Sequence, residues 1–310
     1  MKTSLCIALA VATLASCSRP DRSSPTTLGG NAAGGGSGSS GGRAVIQNKG
    51  SDTLVNVAQA WAEAYKKVDP GTAVAVSGGG SGTGISALIN GTVDIANASR
   101  KMKDSEIKLA EEHGVEPKEF IVGYDALAVY LHKDNPIEQL TFDQLAGIYG
   151  EGGTIERWSQ LGVTVPGCDS DEIIRVSRQN NSGTYAYFKK AVLGEGREYK
   201  LGSRDMHGSK DVVDLVAHTP CAIGYSGLAY ATPDVKMACV ARTEGEPCVE
   251  PSIETARDHS YPISRPLFMY TKGEPQGAVK AYLDWILSDA GQCIILHKGY
   301  APARPVTCPE

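Results

Sequence analysis

From Ala44 onward, apolar residues recur in two alternating rhythms. Val45-Ile46-Gln47 and the β-branched run Thr72–Val76 predict strands. Between them Leu54, Val57, Ala58, Trp61 and Tyr65 fall at helical spacing, and Asp69-Pro70-Gly71 supplies the stop. Ile85, Leu88 and Ile89 predict a short helix ended by Asn90-Gly91, followed by a strand at Val93-Asp94-Ile95-Ala96. Ala126 to His132 is an uninterrupted apolar strand. Thr141 with Gln144 three residues on predicts a capping box that opens a helix through Leu145 and Ile148. Ile173–Ser177 reads as a strand, Tyr185–Val192 as helical, and Val279, Tyr282, Leu283 and Ile286 as a last amphipathic face. Short strands alternating with helices predict α/β layers.

The residues before Ala44 break this rhythm. Lys2 precedes an apolar run from Leu5 to Ala15. A bilayer span needs about 20 residues, so the run suits the apolar region of a signal peptide. It ends Leu14-Ala15-Ser16-Cys17, which resembles a bacterial lipobox. The expected layout is a signal peptide at 1–16, a lipidated Cys17, and a flexible Gly/Ser-rich linker across 17–43. As a coil that linker reaches roughly 25–30 Å. The protein is therefore expected outside the cytoplasm, lipid-anchored to a bacterial membrane, in the periplasm or at the cell surface.

Export makes the remaining cysteines candidates for disulfides. Six follow Cys17, which allow 15 connectivities. Loop length favours Cys239–Cys248 and Cys293–Cys308, which leaves Cys168–Cys221 by elimination. No C-x-x-C and no H-E-x-x-H occurs, so the sequence points to no metal and no cofactor.

Composition adds two exclusions. The 310 residues carry a net charge of −5, with 41% hydrophobic and 21% charged, as in an ordinary soluble chain. An acidic balance lacks the basic surface that nucleic acid requires. The length fits two domains.

The glycines cluster at three places. Gly50-Ser51-Asp52-Thr53, Ser77-Gly78-Gly79-Gly80-Ser81-Gly82-Thr83-Gly84 and Asn180-Asn181-Ser182-Gly183-Thr184 each stand between a predicted strand and a predicted helix. Such loops present unpaired N–H groups and a hydroxyl at the positive end of a helix, which is how an anion is held without a metal. Arg178, four residues before Ser182, adds a charged fork. A hydroxyl residue before a helix is also an ordinary N-cap. No Gly-Lys-Ser/Thr follows the second loop, and a G-x-G-x-x-G fingerprint fails at Ile85 and Ala87, so a nucleotide site is disfavoured.

These loops, with Trp61-Ala62-Glu63-Ala64-Tyr65, Val93 to Arg100, Asp125 to Val129, His132 to Pro136, Arg157-Trp158 and Arg178-x-x-x-Ser182-Gly183-Thr184, resemble the phosphate-binding component of bacterial phosphate ABC transporters. The resemblance covers about Ala44 to Pro305. It implies a two-lobed periplasmic-binding-protein-like fold (type II), with two crossover strands as hinge and the ligand in the interlobe cleft. The lobes would be 44–124 plus 264–310, and 125–263. Ligand positions carry over to Thr53 and the amide of Leu54, to Ser81, and to Arg178, Ser182, Gly183 and Thr184. Arg100 stands where the family pattern has an Asp that accepts the phosphate's own proton, a group sulfate lacks. An Arg cannot accept. Asp52 is the candidate acceptor in its place, its other reading being an N-cap, and Asp94 reads as a strand-end residue.

The function implied is capture without catalysis. Inorganic phosphate would lose its water to helix N-termini, hydroxyls and two guanidinium groups, Arg100 and Arg178, and the closed, monomeric receptor would be read by a membrane permease. Rival readings are the same fold tuned to a sulfate-like oxyanion, a phosphate sensor, and a secreted hydrolase using Ser51 or Ser182. The hydrolase needs a base beside the serine, and no His lies near either loop in sequence.

Overall fold

The computed structural model describes residues 44–309, so the expected leader, Cys17 and linker lie outside the described residues. Strands β1 (Ala44–Gly50), β2 (Thr72–Ser77) and β3 (Ile95–Ala98) run parallel, connected through helices α1 (Val55–Val68) and α2 (Ser81–Ile89). Helix α3 (Asp104–Glu112) then leads into the long strand β4 (Pro117–His132). Its first half, to Ala126, pairs antiparallel with β10 (Ser264–Lys272), which itself lies against β3. Its second half, from Leu127, pairs with β8 (Ala222–Gly227) and β9 (Val235–Ala241). One continuous strand is thereby shared by two sheets.

The second sheet continues from β8 to β6 (Ile174–Arg178) and β7 (Arg204–Met206), while β5 (Gln139–Thr141) joins β9. Helices α4 (Phe142–Tyr149) and α5 (Gly183–Phe188) pack on one side of it, and α6 (Ser209–Ala217) on the other. The chain returns through α7 (Ile253–Arg257) and β10, and ends with α8 (Gly277–Ile286), α9 (Asp289–His297) and β11 (Ala301–Pro302). Each sheet is covered on both faces, as parallel strands require. In the first, Ile46, Leu54, Val57 and Trp61 pack with Tyr282 and Leu283 on one face, and Ile85, Leu88 and Ala110 with Phe268 on the other.

The local reasons match the pattern of residues. Trp61 is fully buried and donates its indole N–H to Gly291 O at 2.7 Å, joining α1 to α9. Both bonds of the Thr141/Gln144 capping box form, at 3.2 and 2.9 Å. The disulfides are Cys168–Cys221, Cys239–Cys248 and Cys293–Cys308. Several boundaries differ from expectation: the strand expected from Ala126 already begins at Pro117, and the helix expected at Tyr185–Val192 begins at Gly183, its α-helical part ending at Phe188. The strand predicted at 93–96 begins at Ile95, because Asp94 is spent accepting the Gln47 amide at 2.7 Å. The helix predicted from Ile85 begins at Ser81, so Ser81–Gly84 form its first turn and only Gly78–Gly80 are left as a loop. The poor intrinsic propensity of that turn is offset by tertiary bonds: Ser81 Oγ accepts the Ser99 amide at 3.0 Å, and Gly82 N–H donates to Asn181 O at 3.0 Å.

Among the described residues no helix is long and apolar enough to cross a membrane, and no group of three or more His, Cys, Asp or Glu could hold a metal.

Candidate functional site

The three helix-start loops meet where the two sheets join. Ser51, Thr53, Ser81, Ser99, Arg178, Ser182 and Thr184 are each no more than 3% exposed. Ser51 donates to Ser99 Oγ at 2.9 Å, and Ser81 Oγ stands 3.4 Å from the same hydroxyl. Thr53 Oγ1 and Thr184 Oγ1, from loops of different sheets, are 3.1 Å apart. Gly183 sits so close to this cluster that a Cβ there would lie 2.2 Å from Ser81 Oγ and 2.5 Å from Ser99 Oγ. Only a hydrogen fits, so the α5 N-terminus can press directly onto the hydroxyls.

The first loop is anchored from behind. Tyr230 donates to Asp52 O at 2.6 Å, and Tyr300 to Thr53 O. With those carbonyls turned outward, the side chains of Ser51 and Thr53 face the other loops. Ser182 is the N-cap of α5 and accepts the amides of Thr184 and Tyr185 at 3.1 and 3.4 Å, so its hydroxyl proton remains to be given elsewhere. The Gly183 amide is at the first helical position, among those a helix leaves unpaired.

Arg178 is 1% exposed. It donates to His207 O from Nε and Nη2 (3.2 and 2.7 Å), to Ser209 Oγ from Nη1 (3.0 Å), and to Asp52 Oδ2 from Nη2 (3.1 Å). Four of five N–H protons are placed, and one on Nη1 has no acceptor among the described residues. Burial pulls its proton affinity below the ordinary value, and Asp52 pulls it back up. Asp52 is not a cap for α1, whose N-cap position is Leu54; its Oδ1 accepts the Gly79 amide at 2.9 Å.

Two expected donors are engaged elsewhere. The Leu54 amide bonds Ser51 O at 3.0 Å inside its own turn. Arg100 makes no hydrogen bond to the hydroxyl cluster. Its Nη1 and Nη2 clasp Glu106 Oε2 and Oε1, each at 2.7 Å, and it borders an outer groove of about 500 Å³ with Lys103, Tyr187 and Lys190. Burial pushes the Glu106 carboxyl up, but the Arg100 fork, the Lys103 amide and both positive charges outweigh it and hold it low.

Sequence reasoning missed a second buried guanidinium. Arg265 on β10 is 0% exposed and pairs with Asp125, its cross-strand partner on β4, through Nε at 3.0 Å and Nη2 at 2.7 Å. It also donates to Thr53 Oγ1 (3.2 Å), Thr184 Oγ1 (3.0 Å) and Ser99 O (3.4 Å). Desolvation raises the Asp125 carboxyl above its usual range, with Arg265 opposing. Ser99 was also missed as a member of the cluster, although it stands within the quoted Val93–Arg100 run. Counting Asp52, Asp125, Arg178 and Arg265, the site's own charges cancel. It is a neutral, dry nest of donors, suited to an acceptor-rich anion stabilised by dipoles.

The chain matches the model of the PBP superfamily domain over residues 35–290. It is 36% identical to the phosphate-binding protein PstS of Pseudomonas aeruginosa over 269 residues, covering 83% of this chain and 82% of that one. Protein SphX of Synechococcus elongatus is 31% identical over 263 residues, 81% and 75% of the two chains. Among solved structures, a substrate-binding protein with bound phosphate from Clostridium perfringens superposes with TM-score 0.74 at 31% identity, covering 84% of this chain and all of that one. An ABC-type phosphate transport receptor from Vibrio cholerae gives TM-score 0.66 at 27% identity, with 84% and 100% covered. With a curled α/β architecture shared by two sheets, a neutral donor nest at their junction, and relatives matched over most of their length, the chain belongs to the PBP superfamily and, within it, to the phosphate-binding protein PstS family.

Proposed function

We propose that this protein captures inorganic phosphate and hands it to an ABC-transporter permease. The lobes are 44–124 plus 264–310, and 125–263, and the ligand is enclosed between them. The lipid anchor on Cys17 would keep the receptor at the membrane. The carrying observation is the convergence of three helix-start loops from two sheets, with Arg178, on one buried spot lined by hydroxyls. Thr53, Ser81, Ser182, Thr184, the Gly183 amide and the remaining Arg178 proton are the donors, and Ser51 and Ser99 complete the ring. Leu54 and Arg100 are not among these donors, the first being held in its own loop turn and the second in the Glu106 clasp. Desolvating a dianion is costly, and a ring of oriented donors offsets that cost without net charge.

Capture needs no chemistry at the serines. Ser51 gives its proton to Ser99 Oγ and Ser182 caps α5, roles that fit a binding site. Titration calorimetry with phosphate, arsenate and sulfate tests the reading: tight, stoichiometric phosphate binding without turnover is expected, and silence towards phosphate overturns it.

Asp52 is the proposed acceptor for the proton of monohydrogen phosphate. Each of its oxygens takes one bond from the protein, and a carboxylate oxygen can accept a second. Asp52→Asn puts an N–H against Gly79 or Arg178 and weakens both anions, but phosphate should lose more than sulfate. Equal losses would remove the acceptor role.

A further inference from the structure

The Arg265–Asp125 pair lies at the start of β10, beside the point where β4 passes from one sheet to the other, and it is wholly buried. All five N–H protons of Arg265 are accounted for: two on Asp125 Oδ2 and one each on Thr53 Oγ1, Thr184 Oγ1 and Ser99 O. None is left for a ligand, so Arg265 is not itself an anion contact. Its effect must pass through the two threonines.

A hydroxyl has one proton to give and lone pairs to receive. When a guanidinium donates to its oxygen, the hydroxyl proton has to point away from the guanidinium. Arg265 does this to both Thr53 and Thr184, whose oxygens are only 3.1 Å apart. Neither hydroxyl can then turn its proton back into the protein on that side. The remaining directions are each other and the side on which the loops converge. We propose that Arg265, held by Asp125, is a positioning residue for anion binding. It keeps the hydroxyl protons of Thr53 and Thr184 off the guanidinium side, so that one bridges the two threonines and the other is turned towards the anion, and because the two threonines come from different sheets it does so for both only when the loops have met. An anion that turns unprotonated oxygens towards Thr53 and Thr184, its own proton lying on the Asp52 side, is favoured by that setting, and a ligand that must donate to either threonine is not. This rests on the phosphate reading above and adds residues that touch no phosphate atom.

The test is a thermodynamic cycle read by calorimetry with inorganic phosphate on the purified protein. Arg265→Met alone would strand a buried carboxylate, so the neutral pair Arg265→Met with Asp125→Leu is used. Arg265→Lys, which keeps a charge opposite Asp125 but lacks the planar fork, provides a second variant. Each is checked for cooperative thermal unfolding. The expected result is a loss of phosphate affinity of about 10- to 100-fold for the neutral pair and a clear loss for Arg265→Lys. In a background of Thr53→Val with Thr184→Val, removing Arg265 should cost little further, because the protons it orients are gone. Additive losses, or affinity unchanged in the folded variants, would overturn the inference while leaving phosphate capture intact. Failure of the unaltered protein to bind phosphate would instead overturn the capture reading, and the inference with it.

Discussion

A single guanidinium and a single missing methyl set the pocket's chemistry at the residue scale. Arg178 is nearly sealed from water, with one carboxylate, one carbonyl and one hydroxyl around it. Truncating it to Ala would leave Asp52 without its buried cation and the ligand without a donor. Phosphate affinity should fall by several kcal/mol, on the order of 3–5. A dissociation constant unchanged by calorimetry would remove Arg178 from the site. Gly183→Ala is the steric counterpart. Its Cβ would intrude to 2.2 Å from Ser81 Oγ, so the loops could not meet. The variant should fold with a near-normal melting temperature yet bind phosphate at least about tenfold more weakly. Normal affinity in that variant would show that the Gly183–Ser81 approach is dispensable.

At the scale of elements, α3 depends on charge as well as pattern. Glu106 accepts the Lys103 amide at 2.8 Å and both arms of Arg100, tying the start of α3 to the end of β3. Its carboxyl is held below the ordinary value of 4.5 despite its burial. A depressed native value means the stabilisation is fully present above the unfolded value and is lost as pH falls through the native one. Glu106→Gln should therefore cost about 1–2 kcal/mol at neutral pH. The deficit should shrink once the unaltered protein is itself protonated. Urea unfolding of both proteins at about pH 6 and about pH 3 checks this, and a deficit that does not narrow would sink it.

For the whole molecule, the three disulfides close loops of very different length. Cys168–Cys221 spans 53 residues and Cys239–Cys248 only 9. If the bonds act mainly by restricting the unfolded chain, replacing the first pair by alanine should cost about 1.5 kcal/mol more than replacing the second. Chemical denaturation of the two double variants measures the difference directly. Equal costs would mean that packing around the bonds, and not loop closure, governs their contribution. The long bond also lies in the main core of the second sheet, where Trp158 donates its indole N–H to Cys221 O at 3.1 Å.

Much of this protein is local physics. The 3.6-residue rhythm from Leu54 to Tyr65, the Thr141 cap, the helix-start loops and the short cysteine spacings are each decided within a few residues to a few turns of chain, so the sequence by itself determined them. The same holds for Arg178, which announces itself by standing four residues before Ser182. What the loops do with one another is not local. Arg265 sits in a strand like any other polar residue, and its partners Thr184, Asp125 and Thr53 are 81, 140 and 212 residues away. Arg100 carries the same charge at a position expected to face the anion, yet a carboxylate six residues on claims both its arms. Charge type is written in the sequence, whereas which counter-charge lies nearest after packing is settled only when distant strands come into register. Tertiary structure alone therefore decided which guanidinium reached the pocket threonines and which was spent on a helix start.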